Sequence, residues 1–149
     1  MTGDLGSRIV ARQTAALTRA VSVGLLALMV SASAADPVVD EAYRAYYQAL
    51  AGFDRRDLER ELRATVDDAL LSGSHVARPS TEEKRRQIAD ETLTGARAVS
   101  CGRGVAVSDA CIQSTREAAD RATVRFNPES IGMVAAVCAR LLESDGGCP

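Results

Sequence analysis

Apolar residues recur every three to four positions along the last two thirds of the chain, the spacing of helices that bury one face. Val39, Ala42, Tyr46, Ala49 and Leu50 form the first stripe, opened by Asp36-Pro37 as N-cap and first helical residue and closed at Gly52. Asp40 and Glu41 fall in its first turn, where the helix dipole favours acids. A second helix starts at Phe53-Asp54, with Asp54 as cap and Phe53 placed to staple onto Leu58. Its face is Leu58, Leu62, Val66, Ala69 and Leu70, its flank carries Arg55, Glu59 and Arg63 at i,i+4 spacing, and it stops at Ser72-Gly73. Ser80-Thr81-Glu82-Glu83 reads as a capping box. It opens a third helix to about Val99, faced by Ile88, Leu93, Ala96 and Val99 and broken by Gly102 and Gly104 just after Cys101.

Ser108 is the expected cap of a fourth helix, reaching Phe126 with Cys111, Thr115, Ala118, Ala119 and Ala122 on its face. Asn127-Pro128 turns the chain and caps a fifth, Pro128 to Leu142, with the cleanest periodicity of all: Ile131, Val134, Ala135, Cys138, Leu141 and Leu142. Gly146-Gly147 ends it and leaves a short tail. No stretch alternates with period two. The pattern predicts an all-α bundle of about five helices, organised around the C-terminal hairpin.

That hairpin holds all four cysteines, Cys101, Cys111, Cys138 and Cys148. Cys111 and Cys138 lie on the apolar faces of adjacent helices, about 23 Å and about 17 Å from the turn at 1.5 Å per residue. Cys101 and Cys148 flank the same end. Nested pairing, Cys111–Cys138 inside Cys101–Cys148, is favoured over the crossed arrangement of Cys101–Cys138 with Cys111–Cys148. The spacing, Cys-x9-Cys twice with 26 residues between, resembles the twin Cys-x9-Cys proteins of the mitochondrial intermembrane space. That family keeps each motif inside one helix, whereas Gly102 and Gly104 place a loop between Cys101 and Cys111.

The first 35 residues follow a different pattern. Arg8, Arg12 and Arg19 face a single acid, Asp4, before sixteen uncharged residues, Ala20 to Ala35, that close on Ser31-Ala32-Ser33-Ala34-Ala35. A basic start, a short apolar run and small residues before Asp36 make up a secretory signal peptide, cleaved after Ala34 or Ala35. A spanning helix needs about 20 apolar residues, so a retained anchor is the lesser reading, and an Arg-rich organellar leader is another. The expected organisation is a signal peptide at 1–35 and one helical domain at 36–149, located in the secreted or periplasmic space. An even cysteine count in an exported chain reads as a disulfide framework.

Composition narrows the function without naming it. Residues 36–149 keep 15 basic and 19 acidic side chains, a net charge of −4 with only short blocks of one sign. Nucleic acid calls for a basic stripe, so it is excluded as a partner, as is a stable membrane anchor once the leader is removed. Trp is absent and alanine is the commonest filler, so the core is thin and gains from cross-links.

Candidate chemistry is sparse. His75 is the single histidine, set in a polar loop, and has no histidine partner for a metal. Asp67-Asp68, Glu82-Glu83 and Asp90-Glu91 are sequence neighbours, which point in different directions on a helix and so read as solvated faces. Arg60-Glu61-Leu62-Arg63 is similar to the host-targeting motif of oomycete effectors, although Leu62 is already part of the core stripe. No catalytic residue, metal or cofactor is assigned. Tyr43 and Tyr47 are i,i+4 neighbours that one narrow core face cannot hold together with Tyr46, which makes them the candidate contact surface. The sequence thus predicts a helical module acting by binding, with a protein or small apolar partner. The alternative is a small secreted enzyme or carrier with an apolar cleft between helices.

Overall fold

A computed structural model describes residues 35–73 and 82–148. The leader, His75, Ser80 and Thr81 lie outside the described residues. The fold that follows is that of residues 36–149. Five helices occur among the described residues: α1 (Pro37–Ala49), α2 (Arg55–Gly73), α3 (Glu82–Arg103), α4 (Val107–Arg121) and α5 (Pro128–Ser144).

Three helices begin as their local sequence dictates. A short side chain before the first turn accepts an otherwise orphaned backbone N–H. Asp36 Oδ1 accepts from Val38 N at 3.0 Å, Asp54 Oδ1 from Asp57 N at 2.9 Å, and Asn127 Oδ1 from Ser130 N at 2.7 Å. The boundaries of α3 and α4 differ from the sequence reading. Helix α3 runs through Cys101 and Gly102, because one helical glycine costs only about 1 kcal/mol. Gly104, in the left-handed region at φ +65°, is what stops it. Ser108 lies inside α4 rather than capping it: Ala106 holds the N-cap position without a side-chain bond, and Ala110 N already donates to Ala106 O at 2.9 Å. At its other end α4 stops at Arg121, five residues short of Phe126, with Thr123 at φ 56° turning the chain.

Helix α5 is the centre of the bundle. A surface helix buries one stripe, but Val134 through Ala139 are all fully buried, so neighbours enclose α5 on every side. Helices α1, α2 and α4 pack on it extensively, α3 less so; α3 rests mainly on α4 and also meets α2. Pairwise contacts fix the directions. Gly132 faces Val39 to Tyr43 while Arg140 and Glu143 meet Tyr47, so α1 runs parallel to α5. Arg55 reaches Asp145, at the far end of α5 from Asn127, so α2 runs against it. Arg85 pairs with Asp67 and Arg97 with Asp145, so α3 runs with α5 again. The result is an up-down-up-down-up bundle wrapped around its last helix.

The apolar interior forms two clusters. One is built on Leu58, Leu62, Val66, Ile88, Val134, Val137 and Leu141. The other is smaller-grained: Ala96, Ala110, Cys111, Ala135, Cys138, Ala139 and Leu142. Phe53, expected to staple onto Leu58, is instead 43% exposed.

Candidate functional site

The disulfides follow the nested pairing. Cys111 and Cys138 are bonded at the heart of the alanine-rich cluster, both with 0% exposure and with Cα atoms 5.9 Å apart. Cys101 and Cys148 are bonded at the surface, Cα atoms 5.2 Å apart, tying the last turn of α3 to the tail after α5.

Tyr43 and Tyr47 come together on α1, as their spacing requires. Their rings stack with centroids 5.6 Å apart, and both pack against the two apolar clusters. They are therefore half-buried, and they bridge the clusters as well as facing out. Arg140 of α5 completes the arrangement. Its guanidinium lies 3.7 Å from the Tyr47 ring centroid, while Nε and Nη2 donate to the Tyr47 carbonyl at 3.0 and 2.8 Å. One side chain thus caps the C-terminal end of α1 and stacks on its aromatic ring. The Tyr47 hydroxyl donates to Glu143 Oε2 at 2.6 Å. On the other flank of α1, the Tyr46 hydroxyl donates to Glu61 of α2.

These contacts set the proton affinities. Burial, helped by the charges of Tyr47 and Glu143, pushes the Tyr43 phenol up to about 12. Tyr47 is raised mainly because its hydroxyl is held by Glu143, and Tyr46 mainly by burial and then by Glu61. All three stay neutral phenols at physiological pH, and Tyr46 and Tyr47 serve as hydrogen-bond donors.

Arg140 and Glu143 were not singled out from sequence. The available signal was that Arg140 is the one cation of α5 and follows the apolar run from Ile131 to Ala139, a position that calls for a specific acceptor. A second cluster at the same, C-terminal end of α5 was equally hidden. The Asp145 carboxylate, with only 13% of its side chain exposed, takes Arg55 Nη1 at 2.7 Å on one oxygen and Arg97 Nη2 at 2.6 Å on the other. It joins α2, α3 and α5 beside the outer disulfide.

The remaining sequence candidates stay separate. Leu62 is 4% exposed in the core, so the Arg60-to-Arg63 stretch is a turn of α2 with its leucine inward. Asp67 pairs with Arg85, and Glu91 is held below the usual carboxylate range by Gln87 and Arg121. Among the described residues no group of three or more His, Cys, Asp or Glu side chains could hold a metal, and no helix is long and apolar enough to cross a membrane. A cleft of about 560 Å³ opens to solvent and is lined by Arg55, Arg97, Ser144, Asp145, Gly146, Gly147 and Cys148. No protein-family model matches the chain, and neither a curated protein nor a solved structure shows significant similarity to it.

Proposed function

We propose that the chain is exported, loses its leader near Ala35, and acts as a disulfide-stapled helical module that binds a protein partner. The observation that carries this reading is the Tyr43–Tyr47–Arg140 ladder. Tyrosine and arginine dominate the energetics of protein contact surfaces, above all where their rotamers are fixed before binding. Here Tyr47 is held from three sides: by the Tyr43 ring, by Arg140 and by Glu143. The carrier or enzyme alternative draws less support, since ligand pockets are mostly apolar and the cleft of about 560 Å³ is lined mainly by charged and glycine residues. The buried inner and exposed outer disulfides fit an oxidising compartment.

Co-purification from the native host tests the reading. Tyr47→Ser should lose the partner that the wild-type chain retains, while Arg116→Gln, on the exposed face of α4, should keep it. Equal retention by both variants, with melting temperatures matching wild type, would remove the ladder as the binding surface.

A further inference from the structure

The two disulfides differ in what surrounds them. Thiol–disulfide exchange needs in-line access of a thiolate to one sulfur, and it runs fastest when the departing sulfur is stabilised as an anion. The inner bridge has no exposure at either cysteine, so exchange there requires the bundle to open. The outer bridge is exposed at both.

Its two sulfurs also differ from each other. Cys101 sits in the last turn of α3, which ends at Arg103, where the helix dipole disfavours a negative charge. Cys148 lines the solvent-open cleft of about 560 Å³ together with Arg55 and Arg97. Arg55 pairs with Glu59 and Asp145 and Arg97 with Asp145, and these guanidinium donors beside Cys148 can hold an anionic sulfur. Gly146 and Gly147, at φ +85° and +77°, tether Cys148 to the helix. Once released, a tail on two glycines samples many positions, which lowers the effective concentration of Cys148 at Cys101. Asp145 stays pinned by its two arginines, so the release ends there and α5 keeps its seat.

We infer that the Cys101–Cys148 bridge is a thiol-exchange site, attacked at Cys101 by an external dithiol of the thioredoxin-like class, with Cys148 as leaving group and the inner bridge untouched. In the first step the attacking thiolate forms a bond to Cys101 Sγ as the Cys101–Cys148 bond breaks, and Cys148 departs as a thiolate and takes a proton from water. In the second step the other thiol of the reductant gives its proton to solvent. Its thiolate attacks the partner sulfur, closing the reductant's own disulfide and expelling the Cys101 thiolate, which is protonated in turn. Two electrons pass to the protein, the dithiol is oxidised, and residues 146–148 are freed while the five helices remain.

The test uses the oxidised chain from residue 36, treated with increasing dithiothreitol, quenched with iodoacetamide and peptide-mapped, with far-ultraviolet circular dichroism in parallel. Cys101 and Cys148 should be alkylated at least about tenfold faster than Cys111 and Cys138, access being the dominant difference. The helical signal should be unchanged at the stage where two cysteines carry label. A second arm uses the monothiol glutathione, which has no second thiol to resolve its adduct within one molecule, with a rapid iodoacetamide quench that blocks the freed cysteine. The trapped mixed disulfide should be on Cys101, with Cys148 free to alkylate. Release of all four thiols together, or loss of helicity when the outer pair opens, would overturn the selective site. An adduct found on Cys148 would overturn the assignment of the leaving group.

Discussion

Gly132→Ala is the perturbation that probes the bundle where it is tightest. On an exposed helix this change stabilises by about 1 kcal/mol, because alanine has the higher helix propensity. At Gly132 a Cβ would collide with the Val39 carbonyl oxygen and stand 2.8 Å from Ala42 Cβ and 2.9 Å from Tyr43 N. The carbon–carbon approach falls roughly 1 Å short of normal contact, and two of the three obstacles are backbone that cannot rotate away. Helix α1 must retreat from α5, loosening Val39 and the Tyr47–Arg140 contacts that depend on the same seat. Overpacking costs about 1–3 kcal/mol, and backbone obstacles put this case at the upper end. Subtracting the propensity gain leaves about 2 kcal/mol of net destabilisation. At about 4 °C per kcal/mol for a domain of this size, the melting temperature should fall by roughly 8 °C. Gly102→Ala is the internal control: it is helical, and nothing lies within 4 Å of its added carbon. It should be neutral or stabilise by up to about 1 kcal/mol. Urea denaturation of both variants decides the matter, and a Gly132→Ala chain as stable as wild type would refute the close α1–α5 crossing.

Three further outcomes are expected. The outer disulfide closes the longer loop, a sequence separation of 47 against 27, which favours it by only about 0.5 kcal/mol. Removing the inner pair also empties a fully buried site, at about 1 kcal/mol or more per lost sulfur. Cys111→Ala with Cys138→Ala should therefore destabilise more than Cys101→Ala with Cys148→Ala, and the reverse order in chemical denaturation would contradict this placement of the pairs. The Ser114 hydroxyl is fully buried between α3 and α4 without a hydrogen-bond partner. Ser114→Ala should leave stability equal or raise it by up to about 1 kcal/mol, since it removes a desolvated donor, and a loss of stability would reveal a bond at that oxygen. Tyr43 holds its proton more tightly folded than unfolded, so its stabilising contribution is complete below pH 10 and disappears as pH rises through about 12. Tyr46 and Tyr47 shift in the same direction. Spectrophotometric titration should show tyrosinate forming late and together with unfolding, and free titration of all three rings near pH 10 would contradict the packing.

What could be read from sequence was local. Asp36, Asp54 and Asn127 cap their helices with bonds spanning two or three residues, so type and position sufficed. The cysteine pairing was legible because both inner cysteines lie on apolar faces at similar depth from one turn. The identity of the central helix was not. Gly132, Ala136 and Ala139 carry almost no hydrophobic signal, yet they are what allows neighbours to close around α5. The candidate site was half legible. Helical spacing pairs Tyr43 with Tyr47, but Arg140 reaches the Tyr47 carbonyl across 93 positions, and no local pattern encodes that approach. Ser108 misled because a good capping residue in the first turn looks the same as one at the boundary.

An exported helical domain locked by two nested disulfides can be checked by mass spectrometry of the protein recovered from the secreted or periplasmic fraction, intact and then digested without reduction. The chain should begin at Ala35 or Asp36, show no free thiols, and give linked peptides joining Cys101 to Cys148 and Cys111 to Cys138. A full-length chain retained in membranes, free cysteines, or peptides linking Cys101 to Cys111 or Cys138 would contradict it.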